Sequence, residues 1–216
     1  NDLPYMMILP TFTASAWYHR KLPADLQDDL ERALAEAEEF ALGDYARALL
    51  LGDKMPDDER ERVIARYARL TGLSPDVVAA SNLRISTARF TKELRRSERR
   101  TVGRLDSRFV GIDREAEGDR VEYDPSYSGA IMGPFTAMFN DYIRRELGYE
   151  NSLSYEVRGR VRPWPLAQDQ YLNVAEELRQ AMSINPYLHL FVGAGYYDLA
   201  TPYFGMEYTL ATMQLD

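Results

Sequence analysis

The stretch LHLFVGAGYYDLATP, from Leu188 to Pro202, decides the predicted fold of this chain. A short and almost continuous apolar run over residues 188–194 ends in glycines, and one carboxylate, Asp198, follows before a predicted helix. Such a run is typical of a strand whose sheet is covered by helices on both faces. Open α/β sheets hold their sites beyond the carboxyl ends of these strands. The stretch therefore predicts an α/β fold that presents an acid at its site.

Composition sets outer bounds on the protein. The 216 residues suffice for one large domain or a domain with a subdomain. The net charge of −8 argues against a nucleic-acid partner, which needs its phosphates neutralised. No apolar run approaches the roughly 20 residues that cross a bilayer, so no membrane partner is expected. Without cysteine there are no disulfides, thiolate metal sites or thiol nucleophiles. Because the chain begins at Asn1 and shows no signal peptide, we expect it to be processed, truncated or engineered.

Residues 14–100 are predicted to be mostly helical, with short helices joined by short loops. Proline or a small polar residue marks each helix start, and glycine marks each end. The predicted starts are Asp25, Pro56, Ser74-Pro75 and Ser86, and the predicted ends are Gly43, Gly52 and Gly72.

The second half of the chain is more mixed. Residues 101–124 predict short strands and turns, and an apolar stripe from Phe135 to Leu147 predicts a helix that Gly148 ends. Alternation over residues 153–157 predicts a half-buried strand. From Gln170 onward the predicted order is helix, strand, loop and helix. Asn185-Pro186 breaks the first of these helices, and Thr201-Pro202 begins the last.

Asp198 is the candidate catalytic residue, and two roles stay open for it. A carboxylate just beyond a buried strand can orient an imidazole and stabilise the imidazolium. The same residue can instead accept backbone N–H bonds near Thr201 and stiffen its own turn.

Other common kinds of site find little support. Gly193-Ala194-Gly195 suggests a dinucleotide loop, but Asp198 stands where the third glycine belongs and would repel a pyrophosphate. No serine lies in the strand-to-helix turn of a nucleophile, and Ser128 precedes Gly129 without an apolar strand before it.

The two histidines, His19 and His189, predict neither a catalytic base nor a metal site. His19 lies near a predicted helix C-terminus, where a positive charge favours the helix dipole, so a structural role is expected. His189 is expected to occupy a covered core position in the strand. The tyrosines clustered at 196–208 either line a pocket for apolar groups or pack with their hydroxyls at the boundary.

Four stretches, in chain order, carry a joint pattern: LPTFTASAWYH (Leu9–His19), VGRLDSRF (Val102–Phe109), Asp124-Pro125-Ser126 and GYYDLATP (Gly195–Pro202). Together they resemble the bacterial branch of the serine carboxypeptidase family, within the α/β hydrolases. The resemblance runs over essentially the whole chain. It implies a sheet core interrupted by a helical cap insertion, with the catalytic groups in the order Ser, Asp, His.

The resemblance implies an incomplete α/β-hydrolase sheet with a largely helical cap insertion. Residues 1–20 would be a core helix, 21–165 the cap with short strands, and 166–216 a core helix-strand-helix. Asp198 matches the triad acid. The nucleophile, the oxyanion glycines and the acid that recognises a terminal carboxylate would precede Asn1, and the triad histidine would follow Asp216. His19 and Ser107 match neither the family's histidine nor its nucleophile.

The implied activity is that of a serine carboxypeptidase, which removes C-terminal residues from peptides by acyl transfer without a cofactor. The chain would supply only Asp198 and would be inactive alone, and no substrate-binding residue is assigned. The partners would be a peptide substrate, through the parent enzyme, and the remaining hydrolase segments or another copy covering the edge at 188–194. Family habit implies a periplasmic or secreted location. A non-catalytic binding or structural module, and an esterase or acyltransferase of the same fold, stay open as alternatives.

Overall fold

A computed structural model describes residues 2–115, 117–118, 121–153, 159 and 173–214. Within these residues the protein is mostly helical and has one small sheet. The α-helices are α1 (Leu3–Tyr18), α2 (Ala24–Gln27), α3 (Leu30–Leu42), α4 (Asp44–Leu51), α5 (Asp57–Thr71), α6 (Pro75–Ala80), α7 (Thr87–Glu93), α8 (Met132–Arg145), α9 (Ala175–Ile184) and α10 (Tyr203–Thr212). The strands are β1 (Arg100–Val102) and β2 (Val110–Ile112). Two short 3₁₀ helices, Gly52–Lys54 and Arg96–Glu98, and a π-helix, Ser126–Ile131, complete the order.

Helix α1 is the axis of the core. Every residue from Met7 to Ala16 is buried, because this helix is apolar on all sides rather than along one stripe. It packs against α3, α5 and α10, and Phe12 stacks on Phe90 of α7 with ring centroids 3.9 Å apart. A segment that is bonded to α1 is therefore bonded to the most completely buried helix among the described residues.

Most helix boundaries in the first half are those that the sequence predicts. The side chains of Ser74 and Ser86 accept hydrogen bonds from Val77 N (3.3 Å) and Arg89 N (3.2 Å), at the starts of α6 and α7. The end of α5 at Gly72 is also confirmed, since this residue has a φ of +69°.

The helix predicted to run on from Asp25 is divided in two. Helix α2 ends at Gln27, and Asp29 then begins α3 by accepting a hydrogen bond from Arg32 N at 3.1 Å. An aspartate that binds a backbone N–H near its own position favours a new start over a continued helix. The leucines keep helical spacing through this region, but Asp29 separates them into two helices.

In the second half, the predicted short strands are confirmed. Strands β1 and β2 pair antiparallel, with Arg100 opposite Ile112 and Val102 opposite Val110. The predicted break at Asn185 is confirmed as the end of α9. The strand predicted at 153–157 and the helix start at Gln170 fall almost wholly outside the described residues.

Helix α8 confirms the predicted helix but not a buried face. No residue of α8 or α9 is buried. The exposed apolar side chains of α8, here called the α8 face, are Met132, Phe135, Met138, Phe139 and Tyr142. These side chains therefore remain substantially exposed.

The predicted strand at 188–194 is wrong. This segment has no strand geometry, Phe191 is 93% exposed, and His189 is exposed rather than in the predicted core position. An apolar run becomes a strand only where a neighbour supplies backbone donors and acceptors, and the described residues supply none here. The predicted parallel sheet is accordingly not seen: the described part is α-rich, and its sheet is the antiparallel pair β1–β2.

One hydrophobic core joins the first half of the chain to its C-terminal end. It joins residues of α1, α3, α5 and α7 with Leu199, Tyr203 and Phe204 near the C-terminal end. The division into core helix, cap insertion and core segment stays a prediction. Among the described helices, none combines the length and apolarity that a membrane span needs.

Candidate functional site

Asp198 lies in a tight turn between the exposed segment 188–194 and helix α10. Its Oδ1 accepts hydrogen bonds from Ala200 N (2.7 Å) and Thr201 N (3.1 Å). Its Oδ2 accepts one from Thr201 Oγ1 at 2.5 Å. The carboxylate is half-buried and fixed by its own turn. The sequence predicts that Thr201-Pro202 begins the last helix. Helix α10 begins at Tyr203, directly after Pro202, and the Thr201 hydroxyl donates to Asp198 rather than capping the helix.

A second loop, residues 103–109, holds the Asp198 turn from outside. Ser107 N donates to Tyr197 O at 2.9 Å, and Leu199 N donates to Arg104 O at 3.0 Å. These two backbone hydrogen bonds flank Asp198 on both sides in sequence. The side chain of Leu199 is 2% exposed and joins the core. The position of the Asp198 turn therefore depends on the 103–109 loop.

Helix α1 in turn holds the 103–109 loop. Ser107 Oγ and Ser15 Oγ are 2.6 Å apart, and both residues are fully buried. His19 Nε2 lies 2.7 Å from Ser107 O. One residue, Ser107, is thus bound to α1 through its hydroxyl and its carbonyl and to the Asp198 turn through its N–H.

The contacts of His19 determine its tautomer. A carbonyl oxygen can only accept, so Nε2 carries the proton and donates to Ser107, while Nδ1 faces Arg95 Nη1 at 3.3 Å as an acceptor. Burial lowers the pKa of His19 below its usual value of 6.5; the hydrogen bond to Ser107 opposes this shift, and the charge of Arg95 adds to it. His19 follows the C-terminal end of α1, as predicted, and its hydrogen bond to Ser107 and lowered pKa favour the neutral imidazole over the predicted positive charge.

Asp124 and Ser126 brace the other end of the loop. Asp124 Oδ1 accepts hydrogen bonds from Arg104 N (3.1 Å), Ser126 N (2.9 Å) and Ser126 Oγ (2.5 Å). Ser126 Oγ accepts another from Leu105 N at 3.0 Å. Gly103 fits tightly against this brace, because a Cβ there would lie 2.4 Å from Asp106 O and 2.6 Å from Ser126 Cβ.

Aromatic side chains pack around the turn. Tyr197 contacts the edge of Tyr18 with centroids 5.6 Å apart, and the Arg108 guanidinium lies 5.0 Å from the Tyr197 ring centroid. Tyr203 is buried, and its hydroxyl donates to Glu38 Oε1 at 2.7 Å. Burial raises the pKa of Tyr203, and Glu38 raises it further. Tyr203 is therefore a packed core residue whose hydroxyl is paired with Glu38.

A cavity of about 780 Å³ lies elsewhere, lined by Asp113, Arg114, Glu115, Val121 and Glu122. Beside it, the buried Lys92 ammonium is 3.2 Å from Asp113 Oδ2 and donates to Glu115 O at 2.6 Å. Asp198 is not among the lining residues, so the cavity and the candidate acid are separate features.

The remaining sequence candidates do not join Asp198. Ser128 is exposed in the π-helix, and His189 is exposed in the 188–194 segment. Among the residues that the structure describes, no group of three or more His, Asp or Glu side chains could hold a metal ion.

Sequence reasoning missed Ser15, Ser107, Asp124 and Ser126 as parts of this site. No local pattern marks them, since Ser15 and Ser107 are 92 positions apart. Each lies in one of the four stretches that carry the family resemblance, and these stretches are joined by hydrogen bonds around Asp198. No family model, curated protein or solved structure matches this chain.

Proposed function

We propose that this chain is part of a serine carboxypeptidase-like α/β hydrolase and supplies Asp198 as the triad acid. The nucleophilic serine and the catalytic histidine would come from residues outside these 216. One observation carries the proposal: the four stretches that resemble the family, far apart in sequence, are joined by hydrogen bonds around the Asp198 turn. Hydrogen bonds from several distant segments can hold a single carboxylate in a fixed position, as a triad acid requires.

The geometry of Asp198 suits an acid that orients an imidazole. A carboxylate offers about four acceptor positions. Asp198 uses three for the hydrogen bonds from Ala200 and Thr201, which leaves one for an incoming N–H. The bonds from the turn fix the plane of the carboxylate, so an imidazole bound there would be held in one orientation.

In the proposed reaction, the serine attacks the carbonyl of the C-terminal peptide bond and the imidazole takes its proton. The imidazolium then protonates the leaving amine, and water releases the acyl group by the same route. Asp198 stays ionised throughout, fixes the tautomer of the imidazole and stabilises its protonated form.

The exposed segment 188–194 also supports the proposal. Leu188, Leu190, Phe191 and Val192 all expose apolar surface in a segment that lacks strand partners. In a complete hydrolase, other parts of the enzyme would cover these apolar side chains.

A non-catalytic module is the second candidate, and one observation favours it. Each hydrogen bond to the Asp198 carboxylate comes from its own turn. Those bonds stiffen the turn whether or not an imidazole ever binds.

The test uses the protein translated from the complete reading frame that encodes this chain. It is assayed with an N-blocked dipeptide, the matching ester and an acyl donor with an alcohol acceptor. Release of the C-terminal amino acid is expected, and the isolated 216-residue chain should release none. Turnover of the ester or acyl donor without the peptide would favour an esterase or acyltransferase, and no turnover of any substrate would favour the binding module.

A further inference from the structure

We infer that Ser107 is a positioning residue for Asp198, because it ties the Asp198 turn to the buried helix α1. The catalytic consequence rests on the proposed function. The structural link rests on contacts alone: Ser107 touches α1 on one side and Tyr197 on the other.

The hydrogen bonds fix the direction of the contact between Ser107 and α1. Ser15 has one hydroxyl proton, and Ser15 Oγ donates it to Thr11 O at 2.8 Å. Ser15 Oγ is therefore the acceptor in the 2.6 Å contact with Ser107 Oγ, and Ser107 is the donor. Because both serines are fully buried, water cannot replace this bond when it is removed.

Ser107 is connected to the Asp198 turn through backbone hydrogen bonds. Ser107 N holds Tyr197 O on one side of Asp198, and Arg104 O receives Leu199 N on the other. A shift of the loop moves both neighbours of Asp198 together. The hydrogen bonds inside the Asp198 turn keep its shape, so the expected effect of loosening Ser107 is a displaced turn rather than a melted one.

The first test measures amide hydrogen exchange in the protein from the complete reading frame. Ser107→Ala should speed exchange of the Leu199 amide about tenfold beyond any change in global stability, since a buried hydrogen bond to the anchor is lost. Ser15→Ala cuts the same contact from the helix side and should give the same result, even if Ser107→Ala fails to fold.

Thr13→Val is the matched control, because Thr13 is fully buried on α1 and its hydroxyl bonds only within the helix, to Leu9 O. Its Leu199 amide should change only with global stability. The inference is overturned if Leu199 exchange in Ser15→Ala and Ser107→Ala matches that in Thr13→Val.

The second test measures kinetics in the protein from the complete reading frame. Ser107→Ala should lower kcat per active site, counted by titration with a covalent serine reagent, about tenfold and leave KM unchanged. A loss of folded protein alone would leave kcat per titrated site at the wild-type value. Faster Leu199 exchange with an inactive wild-type protein would reject the proposed function and leave the link intact. Unchanged exchange with an active protein would reject the link alone.

Discussion

At the scale of single residues, the His19 imidazole lies between Ser107 O and the Arg95 guanidinium. Lys21 and Glu98 are the other charged groups nearby, and Glu98 is paired with both Lys21 and Arg95. A protonated imidazole would place a second cation against Arg95 and would lose its acceptor nitrogen. The neutral form is therefore part of how the 103–109 loop is held.

This geometry predicts a pH dependence of stability. The pKa of His19 is lowered in the folded state, so the unfolded chain binds more protons below about pH 6.5. The His19 contribution is present above that pH and is lost as the pH falls toward the folded-state pKa. Urea unfolding from pH 7.5 to 5 should show a steeper decline for the wild type than for His19→Gln. Equal slopes for the wild type and His19→Gln would contradict the account.

A second residue-scale prediction concerns Gly103. A Cβ at this position would overlap Asp106 O and Ser126 Cβ, so Gly103→Ala should destabilise the protein by about 1–3 kcal/mol. Gly129→Ala is the control, because nothing lies within 4 Å of a Cβ there. Chemical denaturation of both variants measures the difference. Equal midpoints would show that the loop around Asp124 and Ser126 accommodates the added methyl group without loss of stability.

At the scale of elements, the sequence predicts what local chemistry controls. Ser74, Ser86 and Gly72 mark helix ends because each acts within three or four positions of itself. Residues 188–194 mislead because an apolar run specifies a strand only with a neighbour to pair with. The Ser15–Ser107 contact escapes prediction because it joins distant positions whose meeting depends on the whole fold. Asp198 was found, since its turn chemistry and its place after the glycines are both local.

Helix α7 provides the element-scale prediction. Ser86 begins this helix, which carries the buried Phe90 and Lys92. Ser86→Ala removes the acceptor for Arg89 N and should cost about 1 kcal/mol of unfolding free energy. Ser86→Asp keeps an acceptor at the same position and should stay close to the wild type. Thermal or urea unfolding distinguishes them, and an equal loss in both variants would refute the role of the hydroxyl.

At the scale of the whole molecule, the described residues form a packed helical body that carries two exposed apolar surfaces. One is the α8 face, and the other is the segment from Ile184 to Val192. Contiguous apolar surface of this kind drives association when nothing covers it. In the proposed hydrolase, other parts of the enzyme would cover it.

The isolated chain is accordingly expected to self-associate. Light scattering as a function of concentration should show species larger than the monomer, and Ile184→Ser/Phe191→Ser should weaken association about tenfold. Leu50→Ser is the control, because Leu50 is equally exposed but lies apart on α4. A monomer at all concentrations would contradict the expectation that the Ile184–Val192 segment needs a cover.

The most direct test of the central claim is the kcat of Asp198→Asn in the protein from the complete reading frame. Asparagine keeps the size of the side chain but cannot stabilise an imidazolium, so kcat should fall by about 10³–10⁴. Asp29→Asn is the matched control, since Asp29 also accepts a backbone N–H but lies at the start of α3. A kcat for Asp198→Asn equal to that of Asp29→Asn would mean that Asp198 only stiffens its own turn.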